Sequence, residues 1–228
     1  MHIPHSGGLR ITINMNNMML IFEILGTVAF AISGAIEAMK KEMDMLGVVV
    51  LGLVTAVGGG IIRDIITGNL PPVAFQNPYN ALIAIGSAFI TFLIGAFLAK
   101  KEYKAKGMVW NYILLVSDAI GLGTFTVLGI RYVQEKTDYN NVALLLFVGV
   151  ITGVGGGILR DVFAGNVPYI FRKHVYATAS VAGAIAYYYL AKTGYQEMAA
   201  VVSLVLVLVL RLLAAGLKWN LPKVHLHE

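Results

Sequence analysis

Seven apolar runs follow one another along the chain with little between them: 18–38, 45–67, 79–99, 108–130, 141–164, 174–191 and 198–217. The hydrocarbon core of a bilayer is about 30 Å thick, and roughly 20 apolar residues in an α-helix cross it. Each run therefore predicts one span. Little chain remains for a soluble domain, and 58% of the residues are hydrophobic against 13% charged. The expected fold class is an all-α integral membrane protein with seven transmembrane helices, and its function must reside within the membrane. There is no cysteine, which excludes a disulfide framework and a thiolate metal site.

An internal repeat organises these spans. Residues 58–72 read GGGIIRDIITGNLPP and residues 155–169 read GGGILRDVFAGNVPY, and at an offset of 97 the stretches 52–72 and 149–169 share 12 of 21 residues. With an offset of 95 the match extends backward, pairing Glu23 with Asp118, Gly26 with Gly121, Phe30 with Phe125 and Gly34 with Gly129. Each unit thus holds three spans. Three is odd, so the second unit enters the membrane upside down, and two inverted three-helix repeats plus a seventh helix result. The expected divisions are a polar N-terminal tail (1–17), a first repeat (18–99), a basic loop (100–107), a second repeat (108–191), the seventh helix (198–217) and a C-terminal tail (218–228).

The formal net charge of +5 would suggest nucleic acid as a partner of a soluble protein. Here alternating spans place Lys40, Lys41, Lys100, Lys101, Lys104, Lys106, Arg172, Lys173, Arg211, Lys218 and Lys223 on one face, and only Arg10, Arg131, Lys136 and Lys192 on the other. Basic residues collect on the cytoplasmic side. The expected orientation is N-terminus outside and C-terminus cytoplasmic, with no nucleic-acid partner and with membrane lipid around the chain. Arg211, near the end of the seventh span, is expected to snorkel to the interface, and His174 to lie at the interface.

Three successive glycines weaken a helix and strip one stretch of its surface of side chains. Gly58, Gly59 and Gly60, and likewise Gly155, Gly156 and Gly157, fall near the middle of spans two and five, which are expected to kink there. One reading is an unwound turn lining a wet cavity, with freed carbonyls and the hydroxyls of Thr55 and Thr152 offering oxygen to a hard cation. The other is close helix packing. Charges inside a membrane are costly and need partners. Neighbours on a helix point about 100° apart, so Arg63 and Asp64, and Arg160 and Asp161, are expected to pair elsewhere: across the repeats, or with Glu23 and Asp118. GN followed by proline reads as a helix terminator.

Two GGGxxRD elements, each followed by GN and proline, in a seven-span chain of paired three-helix units resemble the prokaryotic branch of the trimeric intracellular cation (TRIC) channel family. The resemblance runs from about Leu20 to Leu217. It implies a homotrimer in the cytoplasmic (inner) membrane, a pore in each subunit lined by the second and fifth spans, and passage of monovalent cations, chiefly potassium; the oxygen-rich breaks place that ion near Thr55 and Thr152. It implies no cofactor other than the permeant cation. Related bacterial sequences carry the label of glycine transporters, so a carrier for glycine or another small amino acid stands as the alternative. A half-helix beginning near Ile61 or Ile158 would then hold the substrate carboxylate. An enzyme is not expected: no histidine lies at mid-membrane to activate Ser33, and the glycine loops lack a Lys-Ser/Thr ending.

Overall fold

The computed structural model describes residues 15–99, 106–136, 141–172 and 175–219. The N-terminal tail up to residue 14, most of the basic loop, His174 and the last nine residues lie outside the described residues. The described chain forms helices α1 (Met15–Lys40), α2 (Met45–Ile66), α3 (Val73–Gln76), α4 (Tyr79–Ala99), α5 (Lys106–Lys136), α6 (Val142–Phe163), α7 (Tyr169–Arg172), α8 (Val175–Ala191) and α9 (Gln196–Gly216). Six of these, α1, α2, α4, α5, α6 and α9, are long and apolar enough to cross a membrane. The sixth predicted span is the shorter apolar helix α8, of 17 residues, and the fourth runs six residues past its predicted end.

The repeat extends to the helix ends. Asp44 caps α2, accepting from Gly47 N at 2.7 Å, and Asn141, 97 residues on, caps α6, accepting from Ala143 N at 2.9 Å. At the other end both GN pairs close their helices in the same way. Gly68 and Gly165 take the left-handed conformation at φ 75° and 69°. Asn69 N then donates to Asp64 O (2.9 Å) and Gly68 N to Ile65 O (3.2 Å), while Asn166 N donates to Asp161 O (2.8 Å) and Gly165 N to Val162 O (3.0 Å). Each is a Schellman closure that satisfies otherwise orphaned carbonyls.

Helices α1 and α5 pack against each other, as do α2 and α6, so the central four helices come from both repeats. Phe30 and Phe125, equivalent in the repeat, stack at the centre with ring centroids 5.3 Å apart. α4 packs outside α1 and α2, and α8 outside α5 and α6. Among the described residues the unrepeated α9 packs chiefly on α8 and α5, both of the second repeat. Large apolar side chains on α4 such as Leu82, Ile90 and Phe97, and on α9 such as Val205, face outward where lipid would lie. Association inside a membrane relies on close packing of small residues, since lipid tails are as apolar as the helices. Gly34 and Gly129 supply it here: a Cβ on Gly34 would lie 2.7 Å from Leu51 O, and one on Gly129 would lie 3.0 Å from Gly149 Cα.

Candidate functional site

The glycine triplets are where α2 crosses α6. A Cβ on Gly59 would collide with the carbonyl oxygen of Thr152, and a Cβ on Gly156 with that of Thr55. A Cβ on Gly155 would sit 3.1 Å from the Cα of Gly59. The two backbones therefore touch, which only residues without side chains permit. This corrects the unwound-turn expectation. Both helices continue unbroken through their triplets, so their carbonyls stay within the helical hydrogen-bond ladder. Packing two bare surfaces together compensates for weak helix propensity. Nor does a half-helix begin at Ile61 or Ile158, so the free N–H groups that would hold a carboxylate are missing there.

Thr55 and Thr152 are fully buried beside this crossing. Their hydroxyls turn back along the helix, Thr55 Oγ1 donating to Leu51 O and Thr152 Oγ1 to Val148 O, both at 2.6 Å. They face Gly34 of α1 and Gly129 of α5 respectively. With the Phe30–Phe125 stack, they form a tight waist.

A charged cluster lies on each side of the waist. In both, the neighbouring arginine and aspartate bond to each other, contrary to expectation: Arg63 Nε donates to Asp64 Oδ1 and Arg160 Nε to Asp161 Oδ1, each at 2.9 Å. The long arginine side chain curls around the helix and spans the angle that separates the two Cβ directions. The second carboxylate oxygen caps a short helix: Asp64 Oδ2 accepts from Val73 N at the start of α3, and Asp161 Oδ2 from Tyr169 N at the start of α7, both at 2.8 Å. Among the described residues, the cross-repeat pairs Arg63–Asp161 and Arg160–Asp64 do not form. The repeats are tied by Arg63 stacked over Tyr132 of α5 (3.8 Å) and by Arg160 Nη1 donating to Ser33 of α1, while the expected contact of Arg160 with Asp118 forms within the second repeat (2.6 Å).

In the first cluster, Asn80 Nδ2 donates to Glu23 Oε1 at 2.5 Å. Glu23, Thr27, Gly60, Arg63, Asp64 and Asn80 line a cavity of about 50 Å³, which has room for water or a partly hydrated ion. In the second cluster, Tyr176 takes the place of Asn80. Its hydroxyl donates to Asp118 Oδ1 (3.3 Å) and fills the space in front of Gly157. Arg211 of α9 approaches Asp118 Oδ2 with Nη2 at 3.4 Å and stacks over the Tyr176 ring at 4.7 Å. It is buried, not snorkelling. The Arg63 side chain retains 12% of its exposure and that of Arg160 none. Formal charges differ too: Glu23, Asp64 and Arg63 leave one negative charge in excess, whereas Asp118 and Asp161 balance Arg160 and Arg211. Among the described residues no group of His, Cys, Asp and Glu could hold a metal ion in the manner of a dedicated metal centre.

Sequence reasoning missed Asn80, Tyr176, Arg211 as an inward group, and Asn166, whose Nδ2 donates to Glu37 Oε1 at 2.7 Å. The fold and these paired clusters define an integral membrane protein of inverted three-helix repeats. The family model described as "Glycine transporter" matches residues 20–96 and 115–192. The chain is 36% identical to the UPF0126 inner membrane protein YadS of Escherichia coli K12 over 89% of this chain and 94% of that protein. It is 38% identical to a UPF0126 membrane protein of Vibrio cholerae over 90% and 81%. Among solved structures, the TRIC orthologue from Rhodobacter sphaeroides is similar with a TM-score of 0.76 and 35% identity over 89% of this chain and 98% of that one. A prokaryotic TRIC channel in 0.5 M KCl is similar with a TM-score of 0.80 and 30% identity over 91% and 100%. The chain belongs to the prokaryotic TRIC channel family.

Proposed function

We propose that this protein is a cation channel that conducts potassium through a pore within each subunit of a homotrimer in the inner membrane, with its N-terminus outside. The observation that carries this reading is the pair of membrane-embedded carboxylate clusters, Glu23 with Asp64 and Asp118 with Asp161, on either side of a waist made by two glycine-triplet helices. Intramembrane carboxylates facing a cavity favour cations. Similarity to solved TRIC cation channels supports the same class.

The described conformation is closed at the waist. An ion would enter the Glu23 cavity and pass between α2 and α6 when the glycine surfaces slide or part. It would then meet Thr55 and Thr152 only when the α1–α2 and α5–α6 seams loosen, because both hydroxyls now face into those seams. The backbone contact of Gly59 with Gly155 and Gly156 suits such motion, with Leu159 against Gly58 and Ile62 against Gly155 as the side chains that must shift. The amino-acid carrier is the weaker reading. α2 and α6 lack a free helix start for a carboxylate, and the starts of α3 and α7 are occupied by Asp64 and Asp161.

Purified protein in planar bilayers distinguishes the two. A channel gives discrete potassium currents without any amino acid present. Saturable glycine uptake into proteoliposomes, with no such currents, would overturn the proposal.

A further inference from the structure

The inverted repeat supplies two equivalent carboxylates: among the described residues Glu23 lines a cavity, whereas Asp118 is fully buried. Glu23 and Asp118 are related by the repeat, and so are their partners Asn80 and Tyr176, each the second residue of the helix after the short α3 or α7. The first site has a negative charge in excess and space beside it. In the second, Tyr176 fills the corresponding space in front of Gly157, and Arg211 brings the balancing charge from α9, a helix outside the repeat.

We propose that Arg211 is a built-in counter-cation: its guanidinium occupies, beside Asp118, the place that a permeant monovalent cation takes beside Glu23. The seventh helix thereby converts one of two symmetry-related cation sites into a closed ion pair. This rests on the reading that the Glu23 cavity receives a cation.

The contacts of Arg211 fit a charge held in place better than an optimised bridge. Its Nη2 lies 3.4 Å from Asp118 Oδ2, longer than a good charge-assisted hydrogen bond, and its buried Nε has no hydrogen-bond partner. A side chain kept for geometry alone would satisfy that nitrogen. What Arg211 supplies is positive charge, in contact with Asp118 and over the face of Tyr176. Glu37, the other carboxylate nearby, has its own cation in Lys40 at 3.7 Å and does not call for Arg211. Arg211 also lines a cleft of about 260 Å³ with Leu115, Val175, Ala214 and Lys218. Shortening its side chain would open Asp118 to that cleft.

The test is anomalous diffraction from crystals of the full-length protein soaked in rubidium chloride. The wild type should hold rubidium at Glu23 and none at Asp118. Arg211→Met should add a second rubidium beside Asp118, doubling the ion bound per chain, and Asp118→Asn combined with Arg211→Met should lose it again. Rubidium at Glu23 but none at Asp118 in Arg211→Met overturns the counter-cation while leaving the channel reading intact. No rubidium at Glu23 in the wild type overturns the premise and the inference with it. Should Arg211→Met fail to fold, Asn80→Lys asks the converse. A tethered ammonium beside Glu23 should expel rubidium from the first cavity, and rubidium retained there contradicts the proposal.

Discussion

The two charged clusters begin from nearly the same sequence and end in different states. GGGIIRD builds a site with a cavity, a partly exposed arginine and an unbalanced carboxylate, while GGGILRD builds one whose charged side chains are buried and balanced. Within the motif the geometry is common to both: the same Arg–Asp bond, the same capping of a short helix and the same closure at GN. The difference comes from outside it. A short amide at Asn80 leaves space that the phenol of Tyr176 fills, and α9 adds Arg211 to one side only. The shared motif fixes the frame of a membrane site, and residues outside the motif decide whether a cavity remains in it.

Substitutions at equivalent positions should therefore have unequal effects. Asp118→Asn leaves Arg211 without a carboxylate and Arg160 with Asp161 alone in a fully buried cluster, and should destabilise the protein by about 3–5 kcal/mol. Glu23→Gln, beside a cavity, should cost under about 1 kcal/mol. Thermal unfolding in detergent measures both, and equal losses would contradict the contrast. Next in size, Gly157→Ala drives a methyl group into the Tyr176 hydroxyl and should cost about 1–3 kcal/mol. Gly60→Ala meets only Arg63 Nη2, at 3.8 Å, and should be neutral or gain up to about 1 kcal/mol from helix propensity. A comparable fall in melting temperature for both would show that the first site is as tightly filled as the second. The smallest contrast is at the caps. Asp44→Ala and Asn141→Ala remove the side-chain caps of equivalent helices, so each should cost about 1 kcal/mol, and a large difference between them would place the asymmetry in the frame itself.

The spans, the repeat and the GN terminators were legible because each depends on local pattern: run length, self-similarity, and glycine in a left-handed turn. The state of the glycine triplets was not. Gly58–Gly60 reads as a weak point in an isolated helix, and its middle residue, Gly59, packs against Thr152, Gly155 and Gly156, contacts between residues more than 90 positions apart. The Arg63–Asp64 bond was missed because Cβ directions were weighed and the length of the arginine side chain was not. Linear depth places Arg211 near the interface and cannot reveal that its charge answers Asp118 on another helix. One signal was present: Arg211 lies seven residues before Lys218, two turns deeper than an ordinary snorkelling cation. The roles of Asn80 and Tyr176 were also within reach, because α4 and α8 start 96 residues apart and bring the two into register.

The central claim is that cations pass where α2 and α6 cross, at a waist that opens by separation of the glycine surfaces. The chain has no cysteine, so Thr55→Cys provides a single reporter at that waist. A small cationic thiol reagent is applied to this variant in planar bilayers while potassium current is recorded. Passage through the crossing predicts that the reagent blocks the current irreversibly when added during openings and leaves the closed protein unmodified. Undiminished current after complete modification of Cys at that position would contradict it.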